Sequence, residues 1–168
     1  MAINETLLAE GLGIVTLAFL AGFWFLPGGV LALRRHAGGE TQPDVRPGYS
    51  PATLYHLLEL YGSDGIRMFR NMLKADMFFP AVYGAFLYLL GDLAPAAHPA
   101  AALVRGLAIS AAAFDYGENI FLLSVLRHLP ERQAFAARTA GICTTLKTLS
   151  IIAALGVLTT VSVSAAAH

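Results

Sequence analysis

The chain has 168 residues, of which 57% are hydrophobic and only 13% charged, with a formal net charge of zero. A soluble domain carries about 25% charged residues, and a nucleic-acid binder shows a basic field that is missing here. The single cysteine, Cys143, leaves no intramolecular disulfide and no zinc-ligand spacing, and no metal or cofactor is expected.

The apolar residues fall into four blocks near or above the ~20 residues that cross a hydrocarbon core. The first spans residues 7–33 and ends on Arg34, Arg35 and His36. Pro27, followed by Gly28 and Gly29, should kink or loosen it, because proline lacks a backbone donor. Glu5 and Glu10 stand where a signal peptide would need positive charge. Residues 37–49 lack periodicity, contain Gly38, Gly39, Pro43, Pro47 and Gly48, and read as a loop.

Ser50 and Pro51 are an N-cap and a proline at the first helical position. The stretch 51–61 puts Leu54, Leu57, Leu58 and Tyr61 on one face, which predicts a short amphipathic helix lying in the cytoplasmic interface and ending at Gly62. His56 and Glu59 fall on its opposite, solvated side. The second span is expected over 64–90. Its first turns carry Arg67, Arg70 and Lys74, and it then turns apolar except for Asp76. Pro80 deprives the Asp76 carbonyl of its helical donor, and Tyr83 shares that side of the helix. Asp76 therefore either snorkels to water or faces an interior site.

A loop over 91–99 precedes the third span, 101–126. Asp115, Glu118 and Asn119 lie in its middle and share one helical face at i, i+3 and i+4, between Ala108, Ala111 and Ala112 on one side and Leu122 on the other. Carboxylates at membrane depth are costly unless paired, solvated or protonated. The fourth span, 132–163, holds the only deep basic residue, Lys147, on a stripe with Ala140, Cys143 and Thr144. Ala136, Ala137, Ala140 and Gly141 give small-xxx-small spacing for close helix approach. The expected fold is therefore all-α: one integral membrane domain over 1–168, a four-helix transmembrane bundle with a short cytoplasmic interfacial amphipathic helix.

The basic residues sort to one face, all but Arg105 and Lys147. The positive-inside rule then puts both termini outside, which for a bacterial inner membrane means the periplasm. Counted from the basic ends at 1.5 Å per residue, Asp76, Asp115, Glu118 and Lys147 all lie about 14–18 Å deep. Asp76, Asp115, Glu118 and Lys147 are thus expected to form one acid/base site, with Tyr83, Tyr116, Asn119 and Thr144 as ligand-binding groups and Arg67 and Arg70 at its cytoplasmic mouth. Three carboxylates against one ammonium require a bound proton, a cation, an arginine or water. Such a site suits binding of, and acid/base chemistry on, a lipophilic molecule from the membrane. Two other readings use the same residues: a proton or small-solute carrier, and an accessory subunit whose polar cluster only fixes helix register. Partners are then membrane lipids or a lipophilic small molecule, a homo-oligomer or a larger membrane complex, and not nucleic acid. No Glu-x-x-His pair and no Gly-x-Ser-x-Gly elbow occurs. Asp115-Tyr-Gly-Glu118 has an acidic spacing like that of membrane prenyltransferases, but a second Asp-rich motif is missing.

Four stretches together resemble a group of small, uncharacterised four-helix membrane proteins: Asp44-Val-Arg-Pro-Gly-Tyr49-Ser-Pro, Tyr61-Gly62-Ser-Asp-Gly65, Asp76-Met-Phe-Phe-Pro80-Ala-Val-Tyr83, and Asp115-Tyr-Gly-Glu118-Asn119. The resemblance covers residues 44–126 and implies the architecture and the choice of site residues, but no activity. A looser likeness to the emopamil-binding, sterol-isomerase-like proteins is one of architecture alone.

Overall fold

The computed structural model describes residues 2–93 and 99–166, and every regular element in them is helical. They are α1 (Ala2–Phe25), α2 (Val30–His36), a 3-10 turn (Pro43–Val45), α3 (Pro51–Asp76), α4 (Phe79–Leu93), α5 (Pro99–His128) and α6 (Ala134–Ala166). Four stretches are long and apolar enough to cross a membrane: Asn4–His36, Pro51–Leu93, Ala100–His128 and Ala134–Ser164.

Proline and glycine explain where these stretches break. The first is not one kinked helix. It stops at Phe25, turns through Gly28 at φ +96°, and restarts at Val30. A side chain at Gly28 would be strained in that left-handed conformation. In the second stretch Ser50 caps α3, its hydroxyl accepting from the Thr53 N–H at 3.1 Å, with Pro51 behind it. At Gly62 the backbone leaves helical geometry (φ 61°, ψ −171°), so residues 51–61 and 63–76 run as two segments joined at a glycine hinge.

Residues 51–61 do have the expected apolar face. It is docked in the protein interior, however: Leu54, Leu57, Leu58 and Tyr61 join Leu33, Phe69, Leu73, Leu126, Ala137 and Ala140 in the larger core. His56 and Glu59 are exposed, and Glu59 pairs with Arg132 at 2.7 Å.

The span expected over 64–90 is likewise two helices. α3 ends at Asp76, and α4 begins at Phe79 with Pro80 in its first turn, where a missing N–H costs little. α4 continues to Leu93 and α5 starts at Pro99, so Gly91, Asp92, Leu93 and Pro99 are helix rather than loop; the rest of that loop, 94–98, lies outside the described residues.

α1 packs on α4, α4 on α5, and α5 on α6, whereas α1 and α6 scarcely meet. The helices thus form an open row curled round a cleft. The larger core fills the end nearest α2 and residues 51–61, and a smaller one of Tyr83, Leu87, Ala108 and Ala111 fills the other. On α5 the polar residues Asp115, Glu118 and Asn119 sit between Ala108 and Ala111 of the smaller core and Leu122 and Val125 of the larger. The loop between α2 and α3 is pinned to α6. A Cβ on Gly141 would overlap the Tyr49 carbonyl, and one on Gly48 would press on Thr145. These two glycines let the loop backbone lie directly on the helix.

Candidate functional site

The polar layer is built from three helix faces. α5 contributes Asp115, Glu118 and Asn119, which are 3%, 0% and 0% exposed. α3 contributes Asp76 from its last residue, where the break before Pro80 ends the helix. α6 contributes Thr144 and Lys147, i and i+3 on one face.

The contacts are direct. The Lys147 ammonium donates to Glu118 Oε2 at 2.6 Å and to Asp115 Oδ1 at 3.1 Å. The Thr144 hydroxyl donates to Glu118 Oε1 at 2.6 Å. The Asn119 amide donates to Asp76 Oδ2 at 2.7 Å. Asp76, Asp115, Glu118, Asn119, Thr144 and Lys147 therefore meet in one interior layer, and Glu118 has both oxygens engaged. Lys147 sits between Asp115 and Glu118, so these carboxylates are not arranged as a shared metal-ligand set.

In front of this layer lies a cavity of about 380 Å³. Asp76, Asp115 and Lys147 form its polar wall, and Tyr83 of α4 joins them. Leu20, Phe23 and Trp24 of α1, Phe79, Phe86 and Leu87 of α4, and Ile151 and Leu155 of α6 form most of its apolar remainder. Glu118 does not line the cavity; it holds Lys147 from behind. A larger groove of about 660 Å³, between α1 and the second half of α3, has Asn71 as its one polar side chain, and none of these carboxyls reaches it.

The loop between α2 and α3 adds two residues that helical spacing cannot find. Gln42 and Asp44 line the same cavity. Asp44 is only partly covered as a residue, but its Oδ1 is sealed from solvent and has no hydrogen-bond partner. Burial, and then the negative charge of Glu118, push its carboxyl well above the usual range. The Tyr49 phenol is driven upward by the same two causes in the same order. The sequence signal for the loop was Asp44 opening the first stretch of the resemblance, together with the paired glycines that let the chain fold back.

The remaining sequence-derived candidates lie elsewhere. Tyr116 follows Asp115 by one residue, about 100° round the helix. It faces an outer groove with Leu8, Leu12, Pro80 and Gly84. Arg67 is exposed and pairs with Asp64 at 3.1 Å. Arg70 donates to the Leu126 carbonyl at 2.8 Å, near the C-terminal end of α5. Both arginines are spent at the basic end of the bundle and leave the polar layer to Lys147.

Four carboxyl groups, Asp44, Asp76, Asp115 and Glu118, thus surround one ammonium. Several buried polar atoms beside them are unpartnered, among them Gln42 Oε1, Asp44 Oδ1, Thr16 Oγ1 and the Tyr83 hydroxyl. No family model, no curated protein and no solved structure matches the chain.

Proposed function

We propose that this is an integral membrane protein whose interior cavity takes up an amphipathic, lipophilic molecule from the bilayer. The molecule's polar group lies against Asp76, Asp115 and Lys147, and its apolar body lies among Phe23, Phe79, Leu87 and Ile151. The observation that carries this reading is the cavity itself. It combines the charged residues Asp44, Asp76, Asp115 and Lys147 with a mostly apolar lining, and it is flanked by α1 and α6, the two outer helices that scarcely meet. A ligand can enter from the side without crossing the polar layer. The volume falls within the ~300–1,000 Å³ of small-molecule sites.

Asp76 and Asp115 are the acid/base pair on this reading, because both face the cavity with a donor already at one oxygen, from Asn119 and from Lys147. Glu118 and Thr144 set the Lys147 position and do not touch the ligand. The small-residue face of α6 is used within the chain, with Ala137 and Ala140 in the core and Gly141 under Tyr49, which disfavours docking to a larger complex by that face. The end of the bundle bearing Arg34, Arg35, Arg67, Arg127 and Arg132 faces the cytoplasm, and both termini face the opposite side, the periplasm in a bacterial inner membrane.

Native mass spectrometry of the protein released from its own membranes tests the binding step. Wild type should retain an amphiphile at near-equimolar ratio, and Asp115→Asn should lose most of it. Release of bulk membrane lipid alone, in membrane proportions and unchanged by the substitution, would remove the proposal.

A further inference from the structure

We infer that the molecule taken up carries a protonated amine: the cavity selects a lipophilic ammonium over neutral or anionic amphiphiles, with Gln42 and Asp44 of the α2–α3 loop as part of the headgroup site. This rests on the reading of the cavity as a lipophilic binding site and adds the chemistry of the headgroup.

Three independent features converge on a cation that donates hydrogen bonds. The first is the charge of the wall. The charged groups facing the cavity are Asp44 from the loop, Asp76 from α3, Asp115 from α5 and Lys147 from α6, while α1 and α4 present no charged group and are polar only at Thr16, Trp24 and Tyr83. The single ammonium is already shared between Asp115 and Glu118. An anionic headgroup would meet three carboxyls and, among the described residues, no free cation. Arg46, the nearest loop cation in sequence, is held on Glu40 at 2.7 Å and on the Thr41 carbonyl at 2.8 Å.

The second is the orphaned acceptors. Gln42 is 2% exposed, and its Oε1 has no partner. Asp44 Oδ1 is sealed and unpaired beside it. Gln42 Oε1 accepts only, so its missing partner is a donor, and the Asp44 carboxyl becomes a second acceptor once it gives up its proton to an arriving amine. Buried polar groups without partners are rare and ask for an explanation. An ammonium with N–H groups supplies donors and positive charge together.

The third is the aromatic wall. Phe23, Trp24, Phe79, Tyr83 and Phe86 line the same cavity, with Phe79 edge-on to Phe23 and tilted against Tyr83 at centroid distances of 5.8 and 5.0 Å. Aromatic faces attract cations, more strongly where water is excluded. The rings therefore add to the carboxyls on the ammonium and pack against its alkyl chain.

The protein supplies its own reporter, since Trp24 is its only tryptophan and lines the cavity. The experiment titrates wild type, in nanodiscs of neutral lipid, with two alkyl probes of equal length carrying a terminal bromine quencher, one an amine and one an alcohol. The amine should quench Trp24 saturably, compete with unlabelled amine, and bind at least tenfold more tightly than the alcohol. Asp44→Asn, a change in a loop outside the helix cores, should weaken the amine roughly tenfold or more and leave the alcohol unchanged, as expected for a lost hydrogen bond to a charged group. Equal affinity for both probes in wild type would overturn the headgroup assignment while leaving the lipophilic site standing, and it needs no variant to fold. Absence of saturable quenching by either probe would overturn the inference and the binding reading together.

Discussion

The two walls of the polar layer are built on opposite terms. Behind, between α5 and α6, every charged group is matched: Glu118 accepts from Thr144 and Lys147, and Lys147 also reaches Asp115; the unmatched atoms beside them, Asn119 Oδ1 and the Tyr49 hydroxyl, are neutral. In front, facing the cavity, Gln42, Asp44, Thr16 and Tyr83 each leave a buried polar atom unmatched. An unsatisfied buried group costs about 1–3 kcal/mol. The contrast is between charges paired behind the cavity and polar atoms left open toward it.

The largest effect should come from opening the matched wall. Lys147→Met leaves Asp115 and Glu118 facing each other without their cation, and breaking a buried pair in this way costs about 3–5 kcal/mol. Thermal unfolding in detergent should show a large fall in Tm. The double variant Lys147→Met/Glu118→Gln should recover part of it, because it removes one stranded charge. Additive losses in the pair would mean that the two side chains are not coupled, and the matched wall would be no more than proximity.

The unmatched wall should respond in the opposite sense, and more weakly. The Asp44 carboxyl is raised in the folded protein, so the folded state holds its proton at a pH where the unfolded chain has lost it. Stability contributed this way is complete in acid and is given up as pH rises from about 4 through the raised value. Asp44→Asn mimics the protonated form at every pH. The variant should match wild type in acid and become the more stable of the two as pH increases. A Tm difference that stays flat, or favours wild type at high pH, would show that Asp44 is ionised and paired.

The smallest effect belongs to Tyr116→Phe. Its ring faces the outer groove, and neither wall uses its hydroxyl. Stability should change by no more than about 0.5 kcal/mol, and retention of the bound amphiphile should be unchanged. Loss of ligand in this variant would move the site to the other side of α5.

Much of this was legible in the residues. Helical spacing alone puts Asp115, Glu118 and Asn119 on one face, and counting inward from the basic ends sets Asp76 and Lys147 at a matching depth. Pro27, Gly62 and Pro80 mark the breaks. What they do not give is the change of direction after each break, so residues 51–61 read as an interfacial helix although their apolar face completes the core. The loop was the least legible part. Gln42 and Asp44 have no periodicity to assign them a face, and their burial depends on Gly48 and Gly141 letting backbone approach backbone across nearly a hundred residues of sequence. Tyr116 faces away from the site for a simpler reason: nearness in sequence to Asp115 is not nearness in space when each residue turns by about 100°.

The most direct measurement is photolabelling with a lipophilic alkylamine that carries a diazirine along its chain, followed by peptide mapping of the adducts. If an amphiphile enters between α1 and α6, the adducts should concentrate on Leu20, Phe23, Phe79, Ile151 and Leu155, and excess unlabelled amine should compete them away. Adducts spread without competition over the outward faces, on Ile14, Ile109 and Ile152, would mean that the probe only dissolves in the surrounding lipid and that the cavity takes up nothing.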